Sequence, residues 1–224
     1  MNVCLIGNGI STLILANVLA NRNIKVSIYQ EAQPKKKLIT RTLGISKNNF
    51  NYLIKEKINI QRKSWPVNKI KIFNEIENSK EILNFGSKND KIFYIIKYRD
   101  LINLLYTRIK QNKFVKQHKI ENSSFFNSIL KEEDNYDLII NFNEKNKISK
   151  KLFFKRNEKD YNSLAFTSLI DHEKCDNNIA HQIFTNFGPL AFLPCSNNKT
   201  SIVFSVLDQN NIISDHKIKE LILN

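Results

Sequence analysis

A chain of 224 residues is long enough for one large domain or two small ones, with a real core. Apolar residues make up 42% of it, in the ordinary globular range, and no window reaches the unbroken apolar length of a membrane span. The formal net charge is +14, but the lysines run along the whole chain and do not form the basic stripe of a nucleic-acid binder.

Heavy use of Lys, Asn, Ile and Phe is what A+T-rich codons produce, so the charge reads as coding bias, and nucleic acid is not expected as a partner. Lys35-Lys36-Lys37, the tightest basic triplet, reads as a solvated loop. Cys4, Cys175 and Cys195 form neither a CxxC pair nor a metal spacing, which points to a reducing cytoplasm and no metal. His118, His172, His181 and His216 are isolated along the sequence. The N-terminus is apolar from the start, but no basic segment precedes it, so it reads as a buried strand and not as a signal peptide.

The first strand is expected over residues 2–6. It runs into Gly7-Asn8-Gly9, and a helix over 10–21 follows at once, with Ile10, Leu13, Ile14, Asn17, Val18 and Ala20 at helical spacing. This is the opening of a dinucleotide-binding βαβ unit. Gly7 permits a tight turn, and Gly9 lets the backbone approach a pyrophosphate with no Cβ in the way. The helix then aims its N-terminal N–H groups and partial positive charge at that pyrophosphate. Ser11 and Thr12 belong to the same turn, and Thr12 stands where the usual pattern has its third glycine. Lys25–Tyr29 alternates and reads as a second strand, parallel to the first and beside it. It ends at Tyr29-Gln30-Glu31. By spacing Gln30 holds the place of the acid that accepts from a ribose hydroxyl, and its amide oxygen can do the same with a neutral hydrogen bond. The competing reading is an α/β domain whose turn binds nothing.

Residues 31–48 read as a loop with a short helix, and 49–56 as helical. Strands are expected through Ile70, Ile72 and Phe73, through Ile82, Leu83 and Phe85, and over 91–96. An amphipathic helix follows over 100–111, and a buried strand over 136–140 returns to the first sheet. Beyond residue 150 the pattern becomes a set of antiparallel strands near 164–170, 181–185, 189–194 and 201–207.

Three stretches resemble the FAD-dependent aromatic hydroxylases, and most closely the flavin monooxygenases of ubiquinone biosynthesis. They are the Gly7/Gly9 turn, Arg41-Thr42-Leu43-Gly44-Ile45-Ser46, and the succession from Tyr161 to Val206 that includes Asp171-His172-Glu173-Lys174, Ala180–Thr185, Gly188–Pro194 and Ser201–Val206. The resemblance implies an α/β fold, a Rossmann-like FAD-binding domain with a mixed or antiparallel β-sheet substrate region. Its divisions are an FAD-binding segment at 1–68, substrate-side strands at 69–98, a return to the FAD domain at 99–150 and the substrate sheet at 151–224. It implies FAD along Gly7, Gly9, Ser11 and Thr12 with its ribose near Gln30, Arg41 and Arg99 as cofactor-side cations, and Asn143 in place of an Asp that precedes a Gly. Glu144 stands for that Gly.

The implied reaction is hydroxylation of a polyprenylated phenol with NAD(P)H and O2, without a catalytic triad. The implied substrate is a small molecule or lipid-quinone precursor, in a cytoplasmic enzyme peripheral to the inner membrane or held in a multi-enzyme assembly. The family's second cofactor motif, a Gly-Asp segment after the substrate sheet, has no counterpart before Asn224. That supports an alternative: a non-catalytic or partial flavoprotein relative that needs another chain to complete the flavin site.

Overall fold

The structure is a computed structural model that describes residues 1–31, 41–75, 80–86, 90–120, 136–152, 155, 157–207 and 220. Its strands are β1 (Asn2–Ile6), β2 (Lys25–Glu31), β3 (Thr42–Ser46), β4 (Ser64–Val67), β5 (Lys69–Asn74), β6 (Lys80–Gly86), β7 (Phe93–Lys97), β8 (Val115–Ile120), β9 (Leu138–Asn141), β10 (Ser163–Asp171), β11 (Ile179–Thr185), β12 (Gly188–Ser196) and β13 (Lys199–Leu207). The helices are α1 (Ile10–Ala20), α2 (Lys47–Lys55), α3 (Tyr98–Lys110) and α4 (Lys147–Leu152), with a single 3-10 turn at Gln61–Lys63. The Lys35–Lys37 triplet, His216 and the turn expected between β5 and β6 lie outside the described residues.

Contacts divide the chain into two units. The first takes the described residues of Met1–Ile39, Leu53–Asn59 and Arg99–Asn157; the second takes those of Thr40–Tyr52, Ile60–Tyr98 and Glu158–Asn224. Residues 41–52 and 60–68 therefore go with the second unit, where the sequence reading had kept them in the first segment. The reason is pairing: β3 and β4 both hydrogen-bond to β7.

The first unit is built on a four-stranded sheet in the order β8-β2-β1-β9, and each of its pairings is parallel. A parallel strand covered on both faces needs apolar residues in a continuous run. Val3, Cys4 and Leu5 meet that need and are fully buried. Burial pushes the Cys4 thiol up to about 12. On one face Cys4, Ile6, Tyr29, Ile120 and Ile148 pack together, with Tyr136 and Ile139 against them. Burying each Ile or Leu of such a cluster contributes roughly 1.5–3 kcal/mol.

The helix α1 is apolar nearly all round. Its buried Asn17 is satisfied within the unit, since Nδ2 donates to the Leu13 carbonyl at 2.8 Å and Oδ1 accepts from Arg108 Nε at 3.3 Å. Just past α1, Arg22 grips Glu56 in a fork, NH1 to Oε2 at 2.8 Å and NH2 to Oε1 at 2.7 Å. This guanidinium holds the Glu56 carboxyl below the usual carboxylate range.

The second unit holds two sheets. One is antiparallel in the order β3-β7-β4, and the other has six strands in the order β10-β13-β12-β11-β5-β6. The larger sheet is mixed, because β11 runs parallel to β5 while its other pairings are antiparallel. The stretch Arg41–Ser46, expected within a loop and short helix, is instead mostly strand β3. Its Leu43 and Ile45 stand opposite Ile96 and Tyr94 of β7. β4 was not foreseen, since its four residues include Pro66; proline is tolerated there because β4 is an edge strand.

Candidate functional site: a dinucleotide cradle

The β1–α1 turn lies at the carboxyl end of the parallel sheet, where ligands of open α/β sheets bind. Gly7 takes φ +140°, which side chains rarely adopt, and its N–H donates to the Tyr29 carbonyl at 2.9 Å. A Cβ at Gly7 would come within 2.9 Å of Thr12 Oγ1 and 3.1 Å of Phe142 Cβ. Gly9 is the reverse case. Its backbone is extended, at φ −78° and ψ 174°, and a Cβ added there would meet nothing within 4 Å. The glycine that the sequence assigns to close approach thus faces open space.

Gly9 is also the N-cap of α1. No side chain caps the helix, and no acid stands in its first turn. The first amide to find a helical acceptor is Leu13 N–H, on the Gly9 carbonyl at 3.1 Å. The amides before it are the orphan donors of a helix start, and an anion is their natural acceptor. Ser11 is exposed on this first turn, whereas Thr12 is fully buried.

Two buried side-chain polar atoms of the described residues have no hydrogen-bond partner, Thr12 Oγ1 and Gln30 Nε2. Each such atom costs about 1–3 kcal/mol. Both belong to positions that the sequence assigned to nucleotide binding. Gln30 sits near the carboxyl end of β2, next to β1, and its Oε1 faces the Tyr106 hydroxyl at 3.5 Å. The amide therefore presents an idle donor, where the sequence reading had stressed its acceptor. The turn, the uncapped helix and this donor fit the pyrophosphate and ribose of a dinucleotide.

A network of amides shapes the neighbouring β9–α4 turn. Asn141 and Asn146 donate to each other's carbonyl oxygens at 3.0 and 2.9 Å. Asn141 Nδ2 also reaches Ser149 Oγ at 2.8 Å, and Ser149 Oγ donates to the Asn143 carbonyl at 2.8 Å. Asn146 Oδ1 accepts from Ser149 N–H at 3.0 Å and so caps α4. Asn143 Oδ1 accepts from Lys145 N–H at 3.0 Å, which gives Asn143 a part in folding this turn. Glu144 is exposed. The turn sets Phe142 against Gly7, a neighbour that no local sequence pattern signalled.

Arg41 is in the second unit, and its guanidinium stacks 4.6 Å from the Tyr98 ring centre. Arg99 is exposed at the start of α3 in the first unit. The first unit therefore gathers Gly7, Gly9, Ser11, Thr12, Gln30 and Asn143 around the carboxyl ends of β1, β2 and β9, while Arg41 belongs to the other body. Among the described residues no His, Cys, Asp and Glu side chains cluster in a way that could hold a metal ion.

Solved structures match the whole chain. PqsL of Pseudomonas aeruginosa, described as a probable FAD-dependent monooxygenase, superposes with a TM-score of 0.70 at 12% identity, over 100% of this chain and 63% of its own. The p-nitrophenol 4-monooxygenase PnpA from Pseudomonas putida DLL-E4 gives 0.72 at 8% identity, over 99% of this chain and 60% of its own. CtdE, solved with FAD and a substrate, gives 0.69 at 12% identity, over 100% and 63%. The chain has the fold of these three structures. It spans a little under two thirds of their length. No protein-family model and no curated relative matches the sequence.

Proposed function

We propose that the first unit binds FAD through its ADP half and that the chain acts in a flavin-dependent monooxygenase. The observation that carries this is the Gly9 cradle at the uncapped start of α1, in a fold shared with monooxygenases. In this reading the first-turn amides of α1 donate to the pyrophosphate, and the space beside Gly9 admits it. Gln30 Nε2 donates to a ribose oxygen. The Asn141–Asn146–Ser149 network holds Phe142 against Gly7 and so keeps the turn in shape. The chemistry that FAD supplies when bound is electron transfer from NAD(P)H to O2 for ring hydroxylation.

The Tyr161–Val206 resemblance supports a polyprenylated phenol of ubiquinone synthesis as the substrate and NAD(P)H as the reductant. A cytoplasmic site of action, peripheral to the inner membrane or within a multi-enzyme assembly, goes with this reading. No described helix is long and apolar enough to cross a membrane.

The test is FAD titration of the purified chain, followed by NAD(P)H oxidation with a polyprenylated phenol. Flavin binding with a hydroxylated product supports the proposal; a protein that leaves FAD unbound refutes it. The span of only 60–63% of PnpA, PqsL and CtdE favours a second reading, in which another polypeptide completes the flavin site. FAD binding without NAD(P)H oxidation is its signature, and hydroxylation by this chain alone contradicts it.

A further inference from the structure

The dinucleotide cradle lies at the carboxyl ends of the parallel strands. At the opposite end of the same sheet α1 and α3 both finish, and Phe114 leads into β8. A cavity of about 420 Å³ opens there, with Asn21, Asn23, Arg108, Gln111, Asn112 and Lys113 in its wall. Small-molecule sites run from about 300 to 1,000 Å³. Since α1 has 11 residues, about 16 Å of helix separates this cavity from the cradle at Gly9.

The wall holds two cations and no Asp or Glu. Arg108 is half-buried. Its Nε donates to Asn17 Oδ1 at 3.3 Å, and neither Nη has a partner among the described residues. A half-buried guanidinium thus has a neutral amide as its partner and an idle donor fork, of the shape that takes two oxygens of an anion. Lys113 is the second cation, exposed, with Nζ 5.3 Å from the Phe114 ring centre. Two acids belong to the surroundings, and both are paired. The Glu56 carbonyl accepts from Asn21 Nδ2 at 2.7 Å, but its carboxylate is held in the fork with Arg22. Asp137, at the same end of the sheet, accepts from Asn2 N–H at 2.6 Å and faces the Met1 amine at 3.8 Å. Helix C-termini disfavour an anion, yet the last carbonyls here are occupied. Val18 O accepts from Arg22 Nη1, Leu19 O and Ala20 O from the Arg22 and Asn23 N–H groups, and Ile109 O from Asn112 N–H.

The amides say what the anion is attached to. Asn112 Oδ1 accepts from Phe114 N–H at 2.9 Å, which leaves its NH2 group to donate. Asn21 spends Nδ2 on Glu56 and keeps Oδ1 as an acceptor. The Asn23 and Gln111 side chains make no hydrogen bond among the described residues. Donors and acceptors side by side suit hydroxyl groups, which both give and take. Ala20 and Phe114 alone are apolar, too little for an apolar ligand. Two cations match the charge of a phosphomonoester, about −1.5 to −2 at neutral pH. We infer that this cavity binds a small phosphorylated, hydroxyl-rich molecule, a sugar phosphate by class. Its phosphate sits on the Arg108 fork beside Lys113, and its hydroxyls on the amides. No part of this involves flavin, so its failure and a failure of FAD binding are separate results.

The probes are glucose 6-phosphate, glucose and inorganic phosphate, titrated into the full chain by calorimetry and followed by amide hydrogen exchange. Glucose 6-phosphate is expected to bind about tenfold or more tightly than either other probe, to weaken as salt rises, and to slow exchange at residues 20–23 and 108–114. Arg108→Gln should lower its affinity about tenfold or more, and Arg108→Lys by less, because a point charge replaces the fork. Two further variants leave the packing alone. Lys113→Gln changes an exposed side chain and should weaken glucose 6-phosphate by about threefold or more. Asn23→Gly keeps the φ of 60° and removes the amide, so it should weaken glucose 6-phosphate and leave inorganic phosphate unchanged. No binding, equal affinity for inorganic phosphate, protection at the Gly9 turn in place of residues 108–114, or Lys113→Gln and Asn23→Gly both without effect would each overturn the inference.

Discussion

A methyl group added at Gly9 separates binding from stability. At Gly9 the backbone is extended and a Cβ meets nothing within 4 Å, so Gly9→Ala fits the folded chain without strain. Alanine is a poorer N-cap than glycine, a loss of roughly 0.5–1 kcal/mol, but it also reduces the entropy of the unfolded chain by a similar amount, about 0.4–1 kcal/mol. Net stability should stay within about 1 kcal/mol of the parent, a shift of about 2–4 °C in melting temperature for a chain of this size. The methyl group occupies the space that a pyrophosphate needs. FAD affinity should fall by about 1.4–3 kcal/mol, roughly ten- to a hundredfold. Gly7→Ala is the control. At φ +140° it costs about 1–3 kcal/mol in backbone strain, and its Cβ must also displace Thr12 Oγ1 and Phe142. FAD fluorescence titration and thermal unfolding, run on both variants, read the two effects separately. If Gly9→Ala binds FAD like the parent, or melts as early as Gly7→Ala, the assignment of open space to the pyrophosphate is wrong.

Other consequences can be checked directly. Glu56→Gln breaks the fork with Arg22 and should cost about 1–3 kcal/mol, read by urea unfolding. The folded-state pKa of Glu56 is lowered, so its contribution is present above the unfolded value of 4.5 and is lost as pH falls through the lower folded value. Urea unfolding across that acidic range should show this loss in the parent and not in Glu56→Gln. Alkylation at mildly basic pH, followed by mass spectrometry, should modify exposed Cys175 quickly and leave Cys4 intact until the protein unfolds, since Cys4 is buried with a thiol near 12. Asn146→Ala removes the cap of α4 and one arm of the amide network. It should cost about 1–2 kcal/mol and speed amide exchange at residues 147–150.

The β1–α1–β2 unit was legible because each of its parts obeys a local rule: an apolar run, glycines where backbone freedom or approach is needed, and apolar residues at helical spacing. β8 was not, because an edge strand carries Lys-Gln-His-Lys and shows no apolar alternation. β3 was hidden by Gly44 and by the polar residues at its ends; its strand character comes from pairing with β7, which is non-local. Gln30 was found by spacing, but the idle donor on its amide depends on Tyr106, 76 residues away. Phe142 reaches Gly7 only because β9 pairs with β1 in the register Ile6↔Asn141. Contacts of that kind are set by tertiary pairing and leave no local trace.

The central claim is that this chain holds FAD by its ADP half, and competition binding tests it most directly. With FAD bound to the full chain and followed by its fluorescence, ADP should displace it, while FMN and riboflavin, which lack the ADP moiety, should not. Displacement by FMN or riboflavin with ADP inert, or no FAD binding at all, would contradict the account.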